Sequence, residues 1–165
     1  MRTKATLKVK NHTINPFVAA TSEYLIWETL LKNDFEGFLA NRWDMVANDY
    51  LEEGFFGIDF GKTADTQQWG LNFPSLESYK KQWLIDAANF QQINFAVDPR
   101  LRLYELCYLE QFNIQGETAL VHKVFDGDIP VKKQEAIVMK WRSLFLLRKV
   151  AKQWKIAGFC GYIKL

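Results

Sequence analysis

Along the first third of the chain, apolar residues recur every three or four positions. Tyr24, Trp27, Leu30 and Leu31 share one face of a helix expected over residues 21–33, with Thr21 or Ser22 able to cap its first free amides. Asn33-Asp34 interrupts that pattern, and Asp34 is expected to cap a second short helix carrying Phe35, Phe38 and Leu39. Trp43, Val46, Ala47 and Tyr50 continue at helical spacing. Residues 53–60 differ: Phe55, Phe56, Ile58 and Phe60, bounded by Gly54 and Gly61, predict a strand. A loop (GKTADTQQ) and a short strand over 69–73 follow. Pro74-Ser75 then opens a helix, with Ser75 as cap and Glu77 at the positive end of the dipole. Its apolar stripe is Leu76, Tyr79, Trp83, Leu84, Ala87 and Phe90.

Beyond Asp98-Pro99 the period becomes two. Segments 100–113 and 117–126 predict a hairpin turning at Gln115-Gly116, residues 126–130 a turn, and segments 135–149 and 153–163 a second hairpin around Val150-Ala151. Helices first and a long antiparallel meander afterwards predict an α+β fold, because α/β chains alternate the two.

Composition narrows the class without naming a reaction. The 165 residues carry 21 Lys+Arg against 19 Asp+Glu, a net charge of +2 that offers no clustered basic excess for nucleic acid. With 48% hydrophobic and 24% charged residues the chain reads as soluble and globular, and no apolar run is long enough to span a membrane. Residues 1–16 form a polar basic arm (Arg2, Lys4, Lys8, Lys10), disordered or an edge strand, without the apolar core of a secretory signal. Residues 17–165 form one domain. Cys107 and Cys160 make no C-x-x-C arrangement, which suggests a reducing cytoplasm. Thirteen Phe, six Tyr and six Trp, 15% of the chain, suit a core and would also line a hollow wall.

The order of elements, the ending Gln153-Trp154-Lys155-Ile156-Ala157-Gly158-Phe159 with its W-x-I strand, and the early pair Asp34-Phe35 resemble the nuclear-transport-factor-2-like superfamily, in particular its SnoaL-like branch. The resemblance covers roughly residues 20–163. It implies N-terminal helices packed on a strongly curved, mostly antiparallel sheet (a cystatin-like, cone-shaped half barrel) with a pocket at the wide end. The superfamily includes isomerases, dehydratases and cyclases, and also non-catalytic dimerisation and accessory domains, so fold alone does not decide function.

With the turn at Gln115-Gly116, Leu109 is expected opposite His122 and Tyr108 opposite Lys123, which puts Glu105, Cys107, Leu109, His122 and Val124 on one face. In the second hairpin Trp141 is expected near Cys160, and the resemblance puts Trp154, Ile156 and Cys160 on the pocket face. His122 is the one histidine outside the arm and a candidate proton donor or acceptor; the competing reading puts it on the outer face or buried and satisfied. Asp59, among phenylalanines, is a second catalytic candidate if buried, and otherwise caps the loop at Gly61. Trp69, Tyr79, Trp83, Glu105, Trp141 and Cys160 are candidate ligand-binding residues, against plain packing. Arg142 either forms a surface ion pair or meets an anion.

No metal or nucleotide motif is present, so any catalysis is expected to be cofactor-free acid/base work. The expected ligand is a small, largely apolar molecule, with no nucleic-acid or membrane partner. A non-catalytic module that pairs into a homodimer through its sheet is the alternative.

Overall fold

The Thr21 hydroxyl accepts from the Tyr24 amide and starts helix α1 (Ser22–Trp27). In the computed structural model, which describes residues 11–165, the helix does not stop at Asn33. It widens into a π-helical segment (Glu28–Asn33) and runs on as α2 (Asp34–Ala40). Asp34 is therefore inside a helical path and caps nothing; Asn41, in the left-handed region at φ 52°, ends the run. The basic residues of the arm lie outside the described residues.

Two single turns of 3-10 helix (Trp43–Met45 and Ala47–Asp49) lead to strand β1 (Phe56–Asp59). A third such turn (Thr66–Gln68) precedes β2 (Gly70–Phe73). Ser75 and Ser78 then form a reciprocal capping box at the start of α3 (Leu76–Gln91).

Residues 99–106 depart from expectation. Asp98 accepts from the amides of Arg100 and Leu101, Pro99 occupies the first helical position, and α4 (Pro99–Leu106) forms where a strand was expected. Strands β3 (Cys107–Gln115), β4 (Thr118–Ile129), β5 (Ile137–Val150) and β6 (Gln153–Lys164) follow. The expected turn at 126–130 is absent, because β4 stays paired with β5 as far as Ile129↔Ile137.

The six strands form one sheet in the order β2-β1-β6-β5-β4-β3, antiparallel except where β1 runs parallel to β6. Helices cover one face, giving the expected α+β architecture, and the core lies between the layers around Ile26, Leu30, Leu31, Val121, Leu147 and Ile156. Among the described residues no helix is long and apolar enough to cross a membrane.

Register differs from the sequence reading in both hairpins, and in the second Trp141 faces Lys164 while Cys160 faces Leu144. The first hairpin turns one residue later, with Gln115 paired to Thr118, and a bulge follows between Glu110 and Asn113, where Gln111 has φ 52°. The net shift is one residue: Leu109 faces Lys123, and Glu110 faces His122. A single-residue shift exchanges the faces. Leu109 therefore shares the inner face with Lys123, and Glu110 the outer face with His122.

Candidate functional site

Between α2, α3 and the inner face of β4–β6 lies a chamber of about 370 Å³. Phe35 and Phe38 come from α2, Tyr79, Trp83 and Phe90 from α3, Phe125 from β4, Trp141 and Phe145 from β5, and Phe159 and Tyr162 from β6. The rings interlock: Phe38 meets Trp83 edge-on at 5.6 Å, Tyr79 meets Phe159 at 5.2 Å, and Phe125 lies 4.7 Å from Trp141. Such walls bring large apolar area with few rotatable bonds.

The polar floor is an ion pair. Lys123 Nζ donates to Asp34 Oδ2 at 2.7 Å and to the Leu30 carbonyl at 2.6 Å, with its side chain only 5% exposed. The second carboxylate oxygen, Oδ1, accepts from Trp83 Nε1 at 3.1 Å. The ammonium also lies 4.8 Å from the Phe35 ring and 5.4 Å from Phe125. A charge this buried is tolerated because both its partners and its aromatic neighbours compensate for lost water.

Local backbone positions these groups. The Asp34 amide bonds the Leu31 carbonyl, not that of Leu30 as an uninterrupted α-helix would have it, and Leu30 turns its carbonyl to Lys123. Lys123 falls on the inward positions Ala119, Val121, Lys123 and Phe125 of β4, a signal present in the alternation of the sequence. Hydroxyls complete the lining. Burial pushes the Tyr79 phenol well above its usual range and raises that of Tyr162 too, so both stay protonated donors. Ser143 Oγ accepts from the Tyr162 amide at 3.3 Å.

Outside the chamber mouth is a second, more open cavity of about 490 Å³ lined by Asp59, Gly61, Asn72 and the five residues it shares with the chamber: Lys62, Phe73, Gln82, Asp86 and Tyr162.

Tyr79, Trp83 and Trp141 thus line the chamber, while the other candidates do not. Asp59 is a loop cap in the outer cavity: Oδ1 accepts from the Gly61 amide at 2.6 Å. Trp69 packs on Phe60 at 4.4 Å and donates to the Thr63 carbonyl, holding the loop together. Glu105 lies on α4 and pairs with Arg102 at the surface.

His122 lies on the outer face, opposite Glu110 and Leu144, with Nδ1 shielded and without a partner. Burial first and the Arg142 guanidinium second push its pKa below the ordinary histidine value. Cys160 is also on the outer face, because a bulge between Leu146 and Leu147 inverts β6 after Ile156. Trp154 and Ile156, before that bulge, are buried on the inner side.

Asp34, Lys62 and Lys123 were not recognised as site residues from the sequence. Among the described residues no group of three or more His, Cys, Asp or Glu is placed to hold a metal ion.

No protein-family profile and no curated protein sequence matches this chain. Its shape does match solved structures. A cystatin-like domain of unknown function from Nostoc punctiforme superposes with a TM-score of 0.56 at 14% identity, over 90% of this chain and 80% of that one. A proposed dehydratase of the NTF2-like family from Streptomyces avermitilis gives 0.54 at 12% identity, over 83% and 91%. A proposed calcium/calmodulin-dependent protein kinase type II association domain from Thiobacillus denitrificans gives 0.54 at 8% identity, over 86% and 93%. At such identities the likeness is one of fold. The class this defines is the NTF2-like, cystatin-like α+β fold.

Proposed function

We propose that this chain is a small-molecule-binding protein of the SnoaL-like kind, and that its ligand is a small, largely apolar, ring-bearing molecule held in the chamber. The observation that carries this reading is a volume of about 370 Å³, walled by eleven aromatic side chains, with a buried ion pair at its floor. Pockets for small ligands have this size and this mix of apolar wall and few polar groups.

If the bound molecule is a substrate, Asp34 and Lys123 replace His122 and Asp59 as the acid/base candidates. Asp34 would accept a proton, Lys123 would stabilise the negative charge that develops, and Tyr79 would position the substrate. Isomerisation, dehydration or cyclisation needs no more than this, and the NTF2-like neighbour proposed to be a dehydratase agrees. We infer a cytoplasmic setting from the two free thiols Cys107 and Cys160.

The test is titration calorimetry with 2-naphthylmethanol, a neutral two-ring probe. Saturable one-to-one binding to the parent, lost in a Ser143→Leu variant that narrows the chamber yet unfolds at an unchanged temperature, is the expected result. Absence of saturable binding, or binding indifferent to Ser143→Leu, overturns the reading.

A second reading concerns the outer face of β3–β5, which exposes Tyr108, Leu120 and Val138. Glu110 and Asp126 lie on its β3–β4 side and Lys140, Arg142 and Arg148 on β5, so the face is complementary in charge to itself under a twofold rotation. We propose a second copy of the chain as its occupant. The association-domain neighbour agrees with that reading.

A further inference from the structure

We propose that the chamber's ligand is an acid, a flat apolar body carrying a carboxylate, and that Lys62 at the mouth takes that carboxylate. This deepens the proposal that the chamber binds a ligand and rests on it.

Lys62 sits where the chamber opens into the outer cavity and lines both. Its backbone is fixed there, with φ at 55° and its amide donating to the Tyr162 carbonyl at 2.8 Å. The ammonium lies 4.1 Å from the centre of the Trp141 ring and 5.7 Å from that of Tyr162. Among the described residues no carboxylate lies within ion-pair distance of it.

The carboxylates nearby are differently placed, because each already has a donor from the chain. Asp34 has Lys123 and Trp83. Asp86 Oδ1 accepts from Gln82 Nε2 at 2.8 Å. Asp59 accepts from the Gly61 amide and, at 3.5 Å, from Asn72 Nδ2. The Lys62 ammonium is thus the charged group at the mouth with no hydrogen-bonding partner among the described residues, and its present partners are ring faces.

Contact with a ring face is weaker than a charge-assisted hydrogen bond to a carboxylate, so an acid would draw the ammonium off Trp141. The lysine stem has enough rotatable bonds to make that swing without backbone movement. The freed Trp141 face, with Phe125, Phe145 and Phe159 behind it, would then take the ligand's ring. An amine would meet Lys62 as a like charge, and the Asp59 and Asp86 carboxylates it could reach line the outer cavity, which Trp141 does not.

The experiment compares three probes of one shape by titration calorimetry on the full chain: 2-naphthoate, 2-naphthylmethanol and 2-naphthylmethylamine. The expected result is 2-naphthoate binding about tenfold or more tighter than the alcohol, with the amine weakest. That ratio should collapse in Lys62→Met and persist in Lys62→Arg, with both variants unfolding at the parent's temperature. Equal affinity for acid and alcohol, or tighter binding of the amine, overturns the inference and leaves the chamber as a ligand site. A preference for the acid that survives Lys62→Met also overturns it, since Lys123 would then be the recognising charge. Failure of all three probes to bind overturns the chamber reading itself.

Discussion

The interaction on which the interior depends most is the Asp34–Lys123 pair, because each partner alone would be a poorly hydrated charge. Lys123 is almost wholly buried, while Asp34 keeps some contact with water. Removing the carboxylate leaves the ammonium with the Leu30 carbonyl as its one hydrogen-bond acceptor among the described residues. Asp34→Ala is therefore expected to lower unfolding free energy by about 3 kcal/mol, and Lys123→Met by less, since methionine fills the same volume with no charge. The double variant should lose less than the sum, with a coupling of about 1–3 kcal/mol in urea titrations. Strict additivity would show that the pair is not coupled.

Asp49 carries a different expectation. Burial raises its carboxyl to about 6, partly offset by the hydrogen bond from Asn33 Nδ2 at 2.9 Å. The folded state thus holds a proton between about pH 4 and 6 that the unfolded chain has released, and stability falls as pH rises through that window. Asp49→Asn should stabilise the protein at pH 7 by about 1 kcal/mol, a figure reduced for the solvent that still reaches the group. The gain should vanish near pH 4. The Asp34-Phe35 pair was legible in the sequence as a resemblance, but not its task, because a helix cap and a helix-borne ligand to a lysine 89 residues away look alike in one dimension.

Among the elements, periodicity alone revealed α1, α3 and the four long strands, since each has one apolar face. It failed where two residues outweighed the pattern. Asp98 and Pro99 satisfy the first free amides and preset the first φ of α4, so residues 99–106 coil in spite of alternating polarity. It failed again at the bulges near Gln111 and Ala157, which leave no mark in polarity yet decide which residues face the chamber. That is why Cys160 was expected on the pocket face, whereas the inward position of Lys123 was legible in the unbroken alternation of β4.

The parallel contact between β1 and β6 depends on glycine for a steric reason. A Cβ at Gly158 would come within 2.7 Å of the Phe56 carbonyl oxygen, and closer still to its ring. Backbone cannot yield as a flexible side chain can. Gly158→Ala should cost about 2 kcal/mol or more of stability and protect β1 amides less from hydrogen exchange. Unchanged exchange in Phe56–Asp59 would show that the strands adjust freely.

At the scale of the whole molecule the two sheet faces carry separate proposals, and this makes them separable. The inner face is closed by helices around the chamber, whereas on the outer face the described residues leave Leu120 and Tyr108 uncovered. If a second copy covers it, Leu120→Glu should convert a dimer to a monomer in sedimentation at micromolar concentration while leaving 2-naphthylmethanol binding intact. Acid should act in the same direction. His122 faces Glu110 from β3 and Leu144 from β5, with Arg142 close by; burial and the guanidinium lower its pKa, and Glu110 opposes them only in part. Covering the face removes more water from the ring, so the paired state binds a proton less readily than the separate chains. Linkage then requires dimer stability to fall as pH drops through the lowered His122 pKa of the separate chains. His122→Gln, which keeps a polar side chain without the titration, should flatten that dependence. A monomer at every concentration and pH would leave the outer face without this partner, and the chamber's role would stand or fall on its own titration.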